Sequence, residues 1–173
     1  PIFEKHPVVC VSWNDAMVYV EWLDSELADE DLTVTLPSEP EWEKAARGPI
    51  DDRIYPWAGD FDGTKLNFCD EICSHRWADE SVNDGFAKTA PVGSYPEGAS
   101  PDGVEDMVGN VWEWTRSKYV DYPYDPDDGR EDLDGDDVRV LRGGSWHVGQ
   151  MAVRVSDRSY DSSSFRGFDY WGF

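Results

Sequence analysis

The 173-residue sequence is poor in basic residues. Its 37 aspartates and glutamates outnumber 15 lysines and arginines, only five of which are lysines, and the formal net charge is -22. Binding to a nucleic-acid backbone needs clustered lysine and arginine, so we expect no nucleic-acid partner. Aspartate exceeds glutamate by 24 to 13, which is typical of proteins from saline surroundings; an ordinary acidic surface is the alternative.

Long hydrophobic runs are also missing. No stretch approaches the roughly 20 apolar residues that cross a bilayer, and the opening residues PIFEK do not have the pattern of a signal peptide. We therefore expect no membrane insertion. The compartment is left open, a cell or virion surface being one option, and so is the oligomeric state.

Cysteine is scarce, with Cys10, Cys69 and Cys73 the three examples. Cys69 and Cys73 with the nearby His75 offer three zinc ligands, but a structural zinc site usually has four at tighter spacing. A local disulfide and two buried thiols are the other two interpretations of this pair.

Aromatic residues, in contrast, are abundant. They make up 14% of the chain, nine of them are tryptophans, and hydrophobic residues as a whole account for 39%. This is enough to form one sizeable core. Because the sequence has no internal repeat and no linker, residues 1–173 are predicted to form a single domain.

The N-terminal part has the patterns of a helix and a strand. Ser12 and Asp15 form a capping box, and apolar residues then recur at helical spacing, which predicts a helix over residues 13–28. Residues 32–36, Leu-Thr-Val-Thr-Leu, alternate β-branched and apolar side chains and predict a short strand.

A second helix and two more strands follow. Ser38 and Glu41 form another capping box, with proline in the first turn, and Gly48 marks the end of the helix. Beyond it, alternation predicts strands at residues 111–115 and 138–142. The fold class is therefore α+β, with two helices, short antiparallel strands and much irregular loop.

The segment between those two strands, residues 121–137, is rich in aspartate and contains proline and glycine. It is predicted to be a surface loop. Its acidic residues do not match the twelve-residue EF-hand pattern with its closing glutamate, so we expect no calcium site of that kind there.

Several motifs occur in a fixed order along the chain. They are HPV at 6–8, VSWNDA at 11–16, LPSEPEWEKAARG at 36–48, YPW at 55–57, APVGS at 90–94, DMVGNVWEW at 106–114 and RGGSW at 142–146. In these motifs the chain resembles the formylglycine-generating enzyme (sulfatase-modifying factor) family, whose fold is a variant of the C-type lectin fold. The resemblance covers nearly the whole chain, although the family's usual N-terminal strands are not seen.

The resemblance implies calcium. Hard oxygen ligands from side chains and main chain suit this ion. One implied ligand set is Asn67, the Phe68 carbonyl, Asp84 and the Phe86 carbonyl. The second is Asn110, the Val111 carbonyl, Glu113 and the Thr115 carbonyl; without calcium, Asn110 and Glu113 are a turn residue and an exposed strand residue.

The family's own chemistry, however, needs two copper-binding cysteines after the Gly-Gly-Ser motif. Here that stretch reads WHVGQMAVR at 146–154, and no cysteine follows Cys73. Valine or glycine cannot replace a thiolate, so we expect neither copper nor formylglycine-generating activity, and no catalytic residue is assigned. The related iron-dependent branch that makes thiol-histidine compounds relies on a histidine cluster, whereas this chain has three histidines.

The C-terminal segment, residues 147–171, which we call the tail, lacks lysine, glutamate and asparagine and is rich in serine, glycine, aspartate and aromatic residues. Arg154, Arg158 and Arg166 recur at intervals, as framework arginines do in the family. When the adenines of asparagine codons are mutated, the new codons specify the residue types found between these arginines. The tail therefore resembles the variable region of a diversity-generating retroelement protein.

Aromatic side chains together with serine, glycine and aspartate make an adaptable binding surface, as in antibody loops. We predict a non-catalytic protein that binds a protein or glycan ligand through the tail; an invariant binding or regulatory domain and an enzyme of unknown chemistry are the alternatives. The predicted ligand-binding residues are His147, Val148, Gly149, Met151, Asp157, Ser159, Tyr160, Asp161, Ser163, Phe165, Gly167, Phe168, Asp169, Tyr170 and Trp171.

Overall fold

The computed structural model describes residues 4–30, 32–49 and 52–173. Its α+β architecture confirms the fold class predicted from the sequence. None of the described helices is long and apolar enough to cross a membrane. The helices and strands are α1 (Trp13–Glu26), α2 (Glu39–Arg47), β1 (Trp112–Lys118), β2 (Val138–Arg142), β3 (Ser159–Ser162) and β4 (Trp171–Gly172).

Both helices begin at the capping boxes found in the sequence. Ser12 accepts a hydrogen bond from the Asp15 amide, and the Asp15 carboxylate accepts one from the Ser12 amide; Ser38 and Glu41 are paired in the same way. These reciprocal bonds satisfy amides that the first helical turn leaves unpaired. Helix α1 ends at Glu26, two residues before the predicted end.

The four strands form one mixed sheet in the order β3-β2-β1-β4. Strands β1 and β2 are antiparallel, with Trp114 opposite Leu141, and β2 and β3 are antiparallel as well. Strand β4 instead runs parallel to β1, with Trp171 opposite Trp112. The expectation of antiparallel strands is therefore right for three strands and wrong for β4, because the chain crosses the sheet after β3 and joins its other edge.

The strand predicted at residues 32–36 is absent. The Val34 amide donates to the Asp24 carboxylate at the end of α1 (2.7 Å) and not to a neighbouring strand. Leu36 is buried and Val34 is partly buried against the core beside α1. The alternating pattern thus reflects burial of Val34 and Leu36 beside a helix, while Leu32 is exposed.

The sheet and helices enclose two hydrophobic clusters. The first lies under α2 and contains Trp42, Ala46, Tyr55, Trp57, Leu66, Phe68, Met107, Val108, Val153 and Val155. The second joins α1 to the sheet and contains Trp13, Ala16, Val20, Leu36, Trp112, Trp114, Leu141 and Trp171. Because Val153, Val155 and Trp171 belong to these clusters, the tail is anchored in the core at several points.

Candidate ligand-binding surface

The tail crosses the whole sheet. It includes β3, which forms one edge, and reaches β4, which forms the other. Three strand spacings of about 4.8 Å separate these edges, a distance of about 14 Å. The structure therefore distributes the predicted ligand-binding residues over two regions instead of gathering them in one.

The larger region is a row of aromatic rings just before β4. His147 stacks on Tyr170 with ring centroids 4.4 Å apart, and Tyr170 stacks on Phe168 at 4.9 Å. Phe168 is half exposed, and Phe165 contacts it edge to face. Four predicted ligand-binding residues are thus brought together.

Two residues from outside the tail extend this row. His75 lies 4.2 Å from His147 between ring centroids and stacks on Trp77 at 4.7 Å. Neither is among the residues predicted from the sequence, because no local pattern connects them to a segment some 70 positions later. We call the six residues together the aromatic surface: Trp77, His75, His147, Tyr170, Phe168 and Phe165.

The electrostatics of His147 follow from this packing. Partial burial lowers the pKa of its imidazole, His75 acts in the same direction, and Asp169 opposes both. The Asp169 carboxylate pairs with Lys88 (2.6 Å), whose ammonium also lies over the Trp146 ring. The aromatic surface therefore has charges of both signs at its rim.

Other predicted residues lie beneath the surface. Trp171 and Ser163 are buried, and the Ser163 carbonyl accepts a hydrogen bond from the Asn14 amide at the start of α1. The Trp146 indole donates to the Asp169 carbonyl (3.0 Å). Trp171 and Ser163 fix the tail in place and do not offer their side chains to a ligand.

The second region is the tyrosine cluster, formed by Tyr119, Tyr122 and Tyr160 around Arg158. Tyr160 on β3 lies 4.4 Å from Tyr119 between ring centroids. The Arg158 guanidinium lies over Tyr119 and Tyr122. Because Tyr160 is exposed, this cluster is accessible from solvent. It is separate from the aromatic surface.

The start of the tail lies beside the aromatic surface. Met151 is exposed on a short turn, Gln150–Ala152, and Val148 is partly buried against both core clusters. A side chain added at Gly149 would lie 3.5 Å from the Trp77 carbonyl oxygen and 3.8 Å from its indole ring. These are ordinary contact distances, so position 149 has room for other residues.

The remaining predicted residues differ in how tightly the fold constrains their side chains. Ser159 and Asp161 are partly buried on β3, and the Asp157 carbonyl accepts a hydrogen bond from Arg142. Gly167 is constrained, because a Cβ there would lie 2.0 Å from the buried Trp171 ring. Side-chain variation is therefore sterically restricted at Gly167.

The three regularly spaced arginines have different roles. Arg158 forms a two-point ion pair with the buried Glu39 of α2. Arg154 donates to the Met151 carbonyl, and Arg166 is exposed and pairs with Asp15. Arg158 alone of the three attaches the tail to the core through a buried charge.

The cysteines do not form a zinc site. Cys69 and Cys73 are joined in a disulfide, so the zinc interpretation is wrong and the local disulfide is the correct alternative. Cys10 is exposed with a free thiol. Among the residues that the structure describes, no three His, Cys, Asp or Glu side chains gather as a metal site.

The first implied calcium set consists mainly of amide and main-chain oxygens, and its surroundings suit a cation. Asn67 is buried, and its Oδ1 has no hydrogen-bond partner within the described part of the chain. Asp84 accepts amide hydrogen bonds from Phe68 and Phe86. Burial raises the pKa of Asp84 to about 6, and the negative charge of the buried Asp70 adds to the effect.

The side chains of the second implied set already accept hydrogen bonds. Asn110 exchanges two hydrogen bonds with the Ala90 backbone. The Glu113 carboxylate accepts from the Trp42 indole (2.6 Å), and the Thr115 carbonyl accepts from the Trp13 indole (3.0 Å). This set lacks an unpartnered amide oxygen like that of Asn67, because the Asn110 Oδ1 accepts from the Ala90 amide, so we assign no ion to it.

Comparison with known proteins agrees with this fold. The family model described as "Sulfatase-modifying factor enzyme 1-like domain" matches residues 2–173. The chain therefore belongs to the formylglycine-generating enzyme (sulfatase-modifying factor) family, as its motifs predicted.

Named relatives include proteins with and without activity. The "Inactive C-alpha-formylglycine-generating enzyme 2" of Bos taurus is 33% identical over 95% of this chain and 49% of its own length. The "Formylglycine-generating enzyme" of Mus musculus is 33% identical over 82% of this chain and 36% of its own length. The chain thus spans half or less of the length of these relatives.

Two solved structures share the fold. PvdO from Pseudomonas aeruginosa superposes with a TM-score of 0.74 at 29% identity, covering 98% of this chain and 60% of PvdO. Treponema denticola variable protein 1 superposes with a TM-score of 0.70 at 24% identity, covering 98% of this chain and 70% of that protein.

Proposed function

We propose that this chain is a non-catalytic, ligand-binding member of its family and that its tail is the variable region of a diversity-generating retroelement. The observation that carries the proposal is the aromatic surface. Phe165 and Phe168 are exposed large aromatic side chains in an acidic protein, and they adjoin His147 and Tyr170. Rigid aromatic side chains on fixed loops are typical of adaptable recognition surfaces.

The proposal is also supported by the pattern of exposure along the tail. Met151, Tyr160, Phe165 and Phe168 are exposed, whereas Val153, Val155 and Trp171 are buried. Exposed positions tolerate replacement and buried ones preserve the core. Adenine-directed mutagenesis at the exposed positions would therefore change the ligand without unfolding the domain.

Sequencing the gene from sibling isolates tests this proposal. We expect differences concentrated within residues 147–171, at codons that contain adenine in a nearby template copy, beside a reverse transcriptase gene. Differences that avoid 147–171 would overturn the retroelement origin and favour an invariant binding domain. Turnover of a substrate that a tail mutation abolishes would favour an enzyme.

We also propose that Asn67, Asp84 and the Phe68 and Phe86 carbonyls hold calcium. The unpartnered Asn67 amide oxygen and the neighbouring Asp70 and Asp84 carboxylates support this assignment. A bound ion would offset the repulsion between the carboxylates and fix the loop that contains Asp84 and Phe86. Its role would be structural.

A further inference from the structure

The loop between Cys69 and Asp79 lies directly against the tail. Trp77, on this loop, donates its indole N–H to the His147 carbonyl (2.9 Å), yet 45% of the residue is exposed. Large tryptophans fixed at the surface are over-represented among the residues that dominate binding energies. Trp77 therefore has the position of an anchor although it lies outside the tail.

The bonds that hold this loop do not depend on tail side chains. The Cys69 amide donates to the Val148 carbonyl, and the Asp79 amide donates to the Cys69 carbonyl. The Cys69–Cys73 disulfide constrains the first five residues of the loop. In the tail, the acceptors for Trp77 and Cys69 are main-chain oxygens, so these two hydrogen bonds require no particular tail side chain, and the His147 ring adds contacts to His75 and Trp77.

Replacement of tail residues would still change the surroundings of Trp77. A side chain at position 149 would touch the indole at an ordinary contact distance, and Gly149 has a φ of -82°, which any residue adopts. Whatever residue occupies this position would thus pack beside Trp77. A ligand bound there would contact the constant ring and the changed residue together.

The surface suits a protein better than a sugar. Tyr170 lies between His147 and Phe168, with both ring faces covered by stacking. Carbohydrate platforms need an open aromatic face, whereas covered rings present their edges and polar atoms.

We propose that Trp77 is a constant anchor of the recognition surface and that the ligand it contacts is a protein. The inference rests on the proposed function, since it assumes that the tail is the binding region. The constant ring lowers the entropy cost of binding for every variant of the tail, because it is immobilised before the ligand arrives. Specificity then comes from the exposed tail residues.

The experiment is a display library of the whole chain, randomised at Gly149, Met151, Phe165 and Phe168. It is selected in parallel on immobilised lysozyme, serum albumin and a mannan polysaccharide. We expect binders to both proteins, and Trp77→Ala should weaken most of them at least tenfold. The exposed Trp22 on α1 gives the matched control, Trp22→Ala, which should leave affinity within twofold.

Fluorine NMR of 5-fluorotryptophan-labelled binders supplies a measurement without mutation. The Trp77 resonance should lose its sensitivity to H₂O–D₂O exchange when lysozyme or albumin binds. Protein binders in which Trp77 stays exposed and Trp77→Ala has no effect would overturn the proposal that Trp77 is an anchor. Binders to mannan alone would overturn the protein partner, and a library with no binder to any target would instead contradict the proposed function.

Discussion

Arg158 of the tail and Glu39 of α2 form a two-point ion pair, with Nε 2.6 Å from Oε1 and Nη2 2.8 Å from Oε2. Glu39 is 1% exposed, so its charge depends on protein partners. Arg142 approaches the same carboxylate at 3.7 Å. This pair connects the middle of the tail to the first turn of α2.

Arg158→Ala should therefore destabilise the domain by about 3 kcal/mol, because it removes a partner from a buried charge. Urea unfolding followed by tryptophan fluorescence measures the change. Arg166→Ala is the matched control: the Arg166 side chain is 71% exposed, so its pair with Asp15 should contribute less than about 1 kcal/mol. Equal effects of the two substitutions would contradict the assigned role of Arg158.

The two glycines of the tail should respond differently to the same change. Gly149→Ser should alter stability by less than about 0.5 kcal/mol, since the new Cβ makes ordinary contacts. Gly167→Ser should cost about 1–3 kcal/mol, because its Cβ would overlap the Trp171 ring. Thermal unfolding of both variants checks this, and a destabilised Gly149→Ser protein would show that position 149 is not open.

The pH dependence of stability should show the effect of the raised pKa of Glu113. Burial raises its pKa from 4.5 to about 7, so the neutral carboxyl stabilises the fold below pH 4.5 and this contribution is lost as the pH rises through 7. The shift corresponds to about 3 kcal/mol. Glu113→Gln should therefore stabilise the protein at pH 8 and have little effect at pH 4.

Urea unfolding at both pH values, with Glu97→Gln as the exposed control, measures this difference. The same variant also tests whether Glu113 is a calcium ligand. If calcium bound to the second implied set, Glu113→Gln would lower stability in calcium-containing buffer at pH 8, which would contradict our assignment.

Calcium should raise the midpoint of thermal unfolding by roughly 5–10 °C at about 100 times Kd, since the ion binds only the folded state. Asp84→Asn should abolish the shift, and Asp102→Asn, at an exposed position, should retain it. Calorimetry with added calcium and with chelator is the measurement. An unchanged midpoint in the parent protein would refute the first calcium site.

The sequence predicts best where structure depends on neighbours along the chain. The Ser12 and Ser38 capping boxes mark the helix starts because the bonds involved span three residues. The strand predicted at residues 32–36 is wrong, because alternation indicates which side chains are buried but not whether a strand or a helix covers them. The parallel pairing of Trp171 with Trp112 depends on a crossing of the sheet that no local pattern encodes.

The predicted ligand-binding residues show the same division. Aromatic content in the tail correctly identifies Phe168 and Tyr160 as exposed, but it does not separate them from the buried Trp171. His75 and Trp77 join the surface only through long-range packing. Composition therefore identifies the kind of surface, and the fold decides which side chains form it.

The placement of β3 and β4 at opposite edges of the sheet has a consequence for valency. The edges are about 14 Å apart, so a ligand smaller than this that contacts Phe168 would leave Tyr160 uncovered. If the tail is the binding region, a partner that contacted both edges would gain avidity from a single polypeptide.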